Sequence, residues 1–65
     1  MTAMERLRLV DRGNRDPHLL AARGAGRLAE QAGDGLDDNI YDPDTDPDAY
    51  ALFRLGWQDS RQENS

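Results

Sequence analysis

Gly26-Arg27-Leu28-Ala29-Glu30-Gln31-Ala32-Gly33 and, further on, Phe53-Arg54-Leu55-Gly56-Trp57 decide how this chain folds. In the first stretch Gly26, Ala29 and Gly33 recur at i, i+3 and i+7, which sets three small residues on one face of a helix. In the second, Phe53, Gly56 and Trp57 recur at i, i+3 and i+4, which sets two aromatic residues on one face of another. A face of small side chains complements a face of large ones. The spacing therefore predicts a packed helix pair, with Phe53 and Trp57 against Gly26, Ala29 and Gly33 and with Tyr41 at one edge. These seven residues read as an internal structural seam, not as a reactive site.

The ends of both helices carry start and stop signals. Asp16-Pro17 opens the first, because aspartate caps a helix N-terminus well and proline suits the first helical position. The run from Leu19 to Ala32 is rich in strong helix formers, and Gly33 is a natural stop. This helix is expected over about 17–32. Gly24 and Gly26 each weaken it by about 1 kcal/mol relative to alanine, which points to close approach of a bulky partner. Asp46-Pro47 repeats the start signal, Asp48 in the first turn suits the helix dipole, and the second helix is expected over about 47–62. Ala49, Tyr50, Phe53, Gly56 and Trp57 would line its packed face, with Leu52 and Leu55 to either side.

Between them, residues 34–46 form a linker in which six of thirteen residues are aspartate, and Leu36, Ile40 and Tyr41 are its apolar anchors. In residues 1–15, Met4, Leu7, Leu9 and Val10 are spaced for one or two amphipathic helical turns, but apolar positions are few and Gly13-Asn14 interrupts them, so a flexible N-terminal arm is the expectation and the helical turns its alternative. Residues 63–65 are expected as a frayed tail. The predicted architecture is all-α: a two-helix hairpin, residues 16–62, with a long acidic linker and flexible termini.

The chain has 65 residues and no cysteine, so neither disulfides nor thiolate metal sites stabilise it. A domain this small buries only about 60% of its unfolded surface. Helix packing, a partner or self-association as a homodimer must supply the rest. No apolar run approaches the roughly 20 residues of a membrane span, and Glu5, Arg6 and Arg8 break up the N-terminus, so it does not read as a signal peptide. A cytoplasmic protein is expected.

The net charge of −5 is unevenly spread. Residues 1–33 hold six arginines against four acids, and residues 34–65 hold two arginines against nine acids, so the halves carry +2 and −7. The first half could face phosphate, through Arg15, Arg23 and Arg27 above all. The second half would be repelled by phosphate and suits a basic partner, through Asp37, Asp38, Asp42, Asp44 and Asp48. Without aromatic residues in the first half, base stacking has no support.

Three chemical motifs fail on inspection. Asp42, Asp44 and Asp46 match the first positions of a calcium-binding EF-hand loop, but Pro47 stands where its glycine belongs and Phe53 where its glutamate belongs. Gly24-Ala25-Gly26 lacks the preceding strand and the following Gly-Lys of a phosphate loop. His18, the only histidine, reads as an exposed polar residue. No acid, base and nucleophile stand at a recognisable spacing, so no catalytic residue, cofactor or metal is assigned, and the chain reads as a non-enzyme.

The seven-residue constellation resembles the ribosome modulation factor family. That family's pattern is a Gly-x-x-Ala-x-x-x-Gly helix, a spacer ending in tyrosine, and an aromatic residue followed by Gly-Trp. Gly26, Ala29 and Gly33 match the first block, Tyr41 the tyrosine, Phe53 the aromatic and Gly56-Trp57 the pair. The resemblance spans about residues 23–60. Three departures stand out: Asn39-Ile40 occupies the place of the family's Cys-Pro or Asn-Pro, the stretch after Tyr41 is slightly longer and very acidic, and this chain is acidic where the ribosome modulation factor is strongly basic. The resemblance implies a ribosome-associated modulation or hibernation factor. Its arginines would touch ribosomal RNA, and its acidic half would touch a basic ribosomal protein. Charge alone implies an alternative, an acidic interaction protein of a phage or mobile element that mimics nucleic acid and blocks a basic partner.

Overall fold

The computed structural model describes residues 2–63. It contains three α-helices, α1 (Ala3–Arg15), α2 (Pro17–Gln31) and α3 (Pro47–Glu63), and one 3-10 turn, Leu36–Asp38. The all-α class holds, but the hairpin of two helices with a flexible arm gives way to three helices. The residues expected as an arm form α1. Thr2 caps it by accepting the Glu5 amide at 3.2 Å.

Gly13, read as an interruption, has a packing role instead. It is buried inside α1, and a β-carbon there would lie 3.0 Å from Leu52 Cδ1. Glycine lets α1 lie down on the α2–α3 pair. Asp16 then serves both neighbours: its backbone N–H closes α1 onto the Arg12 carbonyl, and its side chain accepts the His18 amide at 2.9 Å to open α2.

Leu9, Leu19, Ala22, Ala49, Leu52 and Leu55 form the core, with Val10, Tyr41 and Ala51 packed against it. Leu52 and Leu55 were expected as flanking positions. Both are buried, because α1 covers the side of α3 that a hairpin would leave open.

The α2–α3 contact is made backbone to backbone. A β-carbon on Gly26 would overlap the Phe53 carbonyl, and one on Gly56 would overlap the Arg23 carbonyl. The two glycines are reciprocal: each opens space for the other helix's main chain. This corrects the seam in two ways. At Gly26 the closest atoms are the backbone of Phe53 and Trp57, so the glycine makes room for main chain. Gly33 lies outside the seam, at φ +86°, where it ends α2. The Gly33 amide donates to Glu30 O at 3.0 Å and the Asp34 amide to Ala29 O at 2.8 Å, the paired bonds of a Schellman cap. Among the described residues no helix is long and apolar enough to cross a membrane.

Candidate functional site

Two surfaces deserve separate description: the linker between α2 and α3, and a groove between α1 and α3.

The linker is pinned at three points. The Trp57 indole N–H donates to the Asp34 carbonyl at 2.7 Å. Asn39 bridges outward and inward at once: its Nδ2 donates to the Tyr50 carbonyl at 3.1 Å, and its Oδ1 accepts the Tyr41 amide at 3.0 Å. The Tyr41 ring meets Phe53 and His18 edge-on, with centroids 6.2 and 5.8 Å away. Local bonds shape the remainder. Asp38 Oδ2 accepts the Gly35 amide, and Asp42 Oδ1 accepts the Asp44 amide at 2.7 Å. Asp37, Asp38, Asp42 and Asp44 all stay exposed on this fixed frame. Ile40 stands among them, 77% exposed.

The arginines are arranged differently. Asp59 sits between Arg6 of α1, at 3.0 Å, and Arg23 of α2, at 3.4 Å. Arg27 reaches Glu63 at 2.6 Å, Arg12 reaches Asp48 at 3.2 Å, and Arg15 reaches Asp11 one turn away at 3.5 Å. Of the residues expected to contact RNA, Arg15, Arg23 and Arg27 are thus all in ion pairs within the chain. Of the expected acidic surface, Asp48 is likewise paired, and the four linker aspartates are in no ion pair among the described residues. The hydrogen bond from Arg27 pulls the Glu63 carboxyl below its ordinary range and raises the Arg27 guanidinium.

His18 is not an isolated surface residue. Its Nε2 lies 2.6 Å from Asp46 Oδ2, joining the first turn of α2 to the residue that precedes α3. That hydrogen bond, together with the Asp46 charge, raises the imidazole above its ordinary value. Asp46 is therefore engaged by His18, and Asp42 by the Asp44 amide. Among the described residues, no three His, Cys, Asp or Glu side chains gather closely enough to hold a metal ion. Ser60 was not anticipated: it is buried, and its hydroxyl donates to Glu30 Oε1 at 2.8 Å. Serine on a helix carries no periodic signal that would mark it.

The groove encloses about 490 Å³. Ala3, Ala51 and Leu55 supply apolar walls, and Arg6, Arg54 and Tyr50 supply the rim. The Arg54 guanidinium lies over the Tyr50 ring, 5.9 Å from its centroid. Two turns further along α3, the Arg61 guanidinium lies over the Trp57 ring, 5.2 Å from its centroid.

No family model, curated protein or solved structure matches this chain.

Proposed function

We propose that the protein is a non-enzymatic, cytoplasmic, ribosome-associated modulation factor that acts by binding, with its linker docked on a basic ribosomal protein. The observation that carries this reading is the asymmetry of pairing: the arginines of α1 and α2 are largely occupied by the chain's own carboxylates, whereas Asp37, Asp38, Asp42 and Asp44 project from a pinned loop without ion-pair partners. A preorganised acidic loop loses little freedom on binding and steers a basic partner at long range. The resemblance supports the same reading, since Gly26, Gly56, Phe53, Tyr41 and Trp57 cluster around one helix crossing and the loop that it anchors.

Phosphate contact by Arg23 and Arg27 is the secondary element of this reading. It requires the pairs with Asp59 and Glu63 to open. The linker is therefore the leading surface and the arginines the adjusting one.

Sedimentation of a bacterial lysate through a sucrose gradient tests this. The tagged protein should travel with ribosomal particles in stationary phase. Asp37→Lys with Asp44→Lys should release it, and Arg23→Glu with Arg27→Glu should weaken it less. Absence from every ribosomal fraction would sink the proposal. The same acid excess favours one second reading, an acidic inhibitor of phage or mobile-element origin that occupies the groove of a basic nucleic-acid-binding protein. Affinity capture separates the two: ribosomal proteins on one side, a single non-ribosomal basic protein on the other.

A further inference from the structure

The groove between α1 and α3 and the loop around Ile40 are both apolar at their centres and opposite in charge around them. The groove has apolar walls and a rim that carries two guanidinium groups, Arg6 and Arg54. Arg54 is in no ion pair among the described residues. The loop has one fully presented apolar side chain, Ile40, set among Asp37, Asp38 and Asp42. Among the described residues Ile40 is the most exposed of the large apolar side chains, while its neighbours Leu36 and Tyr41 turn partly inward.

We propose that a second copy of this chain fills the groove with Ile40, and that the two copies exchange this contact in a closed dimer. The apolar side chain would enter between Ala51 and Leu55, and the flanking aspartates would meet Arg54, with Arg6 joining only where its pair with Asp59 opens. Loop and groove adjoin on one molecule: Asn39 donates to the Tyr50 carbonyl while the Tyr50 residue lines the groove. In the proposed dimer a two-fold axis would pass near Tyr50, each copy giving Ile40 and receiving it. Closure leaves no unfilled groove and no unburied Ile40, unlike a head-to-tail chain. The loop is already pinned through Trp57, Asn39 and Tyr41, so its ordering opposes association little. A 65-residue chain with a small core gains most from burying such a side chain.

Dimerisation needs no ribosome and stands apart from the ribosomal reading. One consequence does rest on that reading: the loop cannot serve both partners, so the dimer is the stored form and the monomer the docking form.

Sedimentation equilibrium of the purified full chain, from micromolar to millimolar at low salt, tests the proposal directly. The expected result is a monomer–dimer equilibrium that added salt weakens. Ile40→Asp should raise the dimer dissociation constant at least about tenfold, and Arg54→Glu or Asp37→Arg should each raise it several-fold. Combining Arg54→Glu with Asp37→Arg should restore part of the loss, which a merely structural defect would not do. Circular dichroism checks that each variant keeps its helices; all three substituted side chains are exposed. A wild-type chain that stays monomeric throughout overturns the proposal and leaves the groove to another partner. A dimer indifferent to Ile40→Asp in a folded variant overturns it too, and a ladder of larger species overturns the closed arrangement.

Discussion

Replacing Gly26 by alanine adds one methyl group at the closest approach of α2 and α3. A β-carbon there would stand 2.8 Å from the Phe53 carbonyl carbon and 3.0 Å from the Trp57 amide nitrogen, with the Phe53 carbonyl oxygen nearer still. All three are main-chain atoms inside a helix. No rotamer change relieves the overlap, so the helices must part by on the order of an ångström. Overpacking of this kind costs about 1–3 kcal/mol, and more where a backbone resists. Against it stands the gain of up to about 1 kcal/mol from replacing glycine by alanine inside a helix. Parting the helices also loosens Ala22, Ala49 and Leu52, so a net loss of about 2 kcal/mol is expected. For a domain of this size that lowers the melting temperature by about 10 °C. Gly24 supplies the internal control. It lies two positions away in the same helix, and a β-carbon there meets nothing within 4 Å. Gly24→Ala keeps the propensity gain without the clash and should raise the melting temperature by a few degrees. Thermal unfolding of both variants, followed by far-UV circular dichroism, is the assay. If Gly26→Ala melts at or above the wild type, or if both variants shift the same way, the backbone crossing does not hold the fold together.

Stability should fall as pH rises through the His18 titration. The folded-state value is raised, so the contribution of His18 is complete below the ordinary histidine range near 6.5 and is lost above the folded value; a His18→Ala chain should have a flatter melting profile between mildly acidic and mildly basic buffers. Trp57→Phe removes the donor to the Asp34 carbonyl and should cost about 1 kcal/mol, with amide exchange speeding up in residues 34–41 before it does in α3. Asp59→Ala frees Arg6 and Arg23 together, at a cost of about 1 kcal/mol after solvent screening, and a following Arg6→Ala should then be nearly neutral in a double-mutant cycle.

What could be read from the sequence follows from the range of each signal. The two Asp-Pro pairs are local, and helices begin at Pro17 and at Pro47 where those pairs stand. The Gly26 and Gly56 spacings are local too, and they mark the crossing, although what stands nearest to each glycine is the other helix's main chain. Two features were hidden. Helix α1 was obscured because Gly13 breaks helices in isolation, and only the contact with Leu52 explains its presence. With residues 1–15 taken as an arm and not as the alternative helical turns, Leu52 and Leu55 look peripheral. Gly33 fits two patterns at once, a small-residue face and a C-terminal stop; its positive φ and open surroundings assign it to the stop. The candidate surfaces depended on geometry still more. Arg23 and Asp59 are 36 residues apart, so whether an arginine is available to a ligand is decided by how the helices cross, which no local spacing reports.

Asp16 joins α1 to α2 as a single residue, closing one helix and opening the next. Mechanically that is a hinge with one pair of soft dihedrals, and α1 is the lever it carries. Thirteen residues of helix span about 20 Å. A turn of roughly 10° at the hinge would sweep the far end by about 3 Å over that length. Ala3 and Arg6, which form one bank of the groove, ride near that far end, and Arg6 is also the tether to Asp59. The width of the groove is thus geared to the backbone angle of a residue at the opposite end of α1. A substitution at Asp16, which lines no wall of the groove, would thus act on its aperture through the length of α1, against the hold of Leu9 in the core and of the Arg6–Asp59 and Arg12–Asp48 pairs.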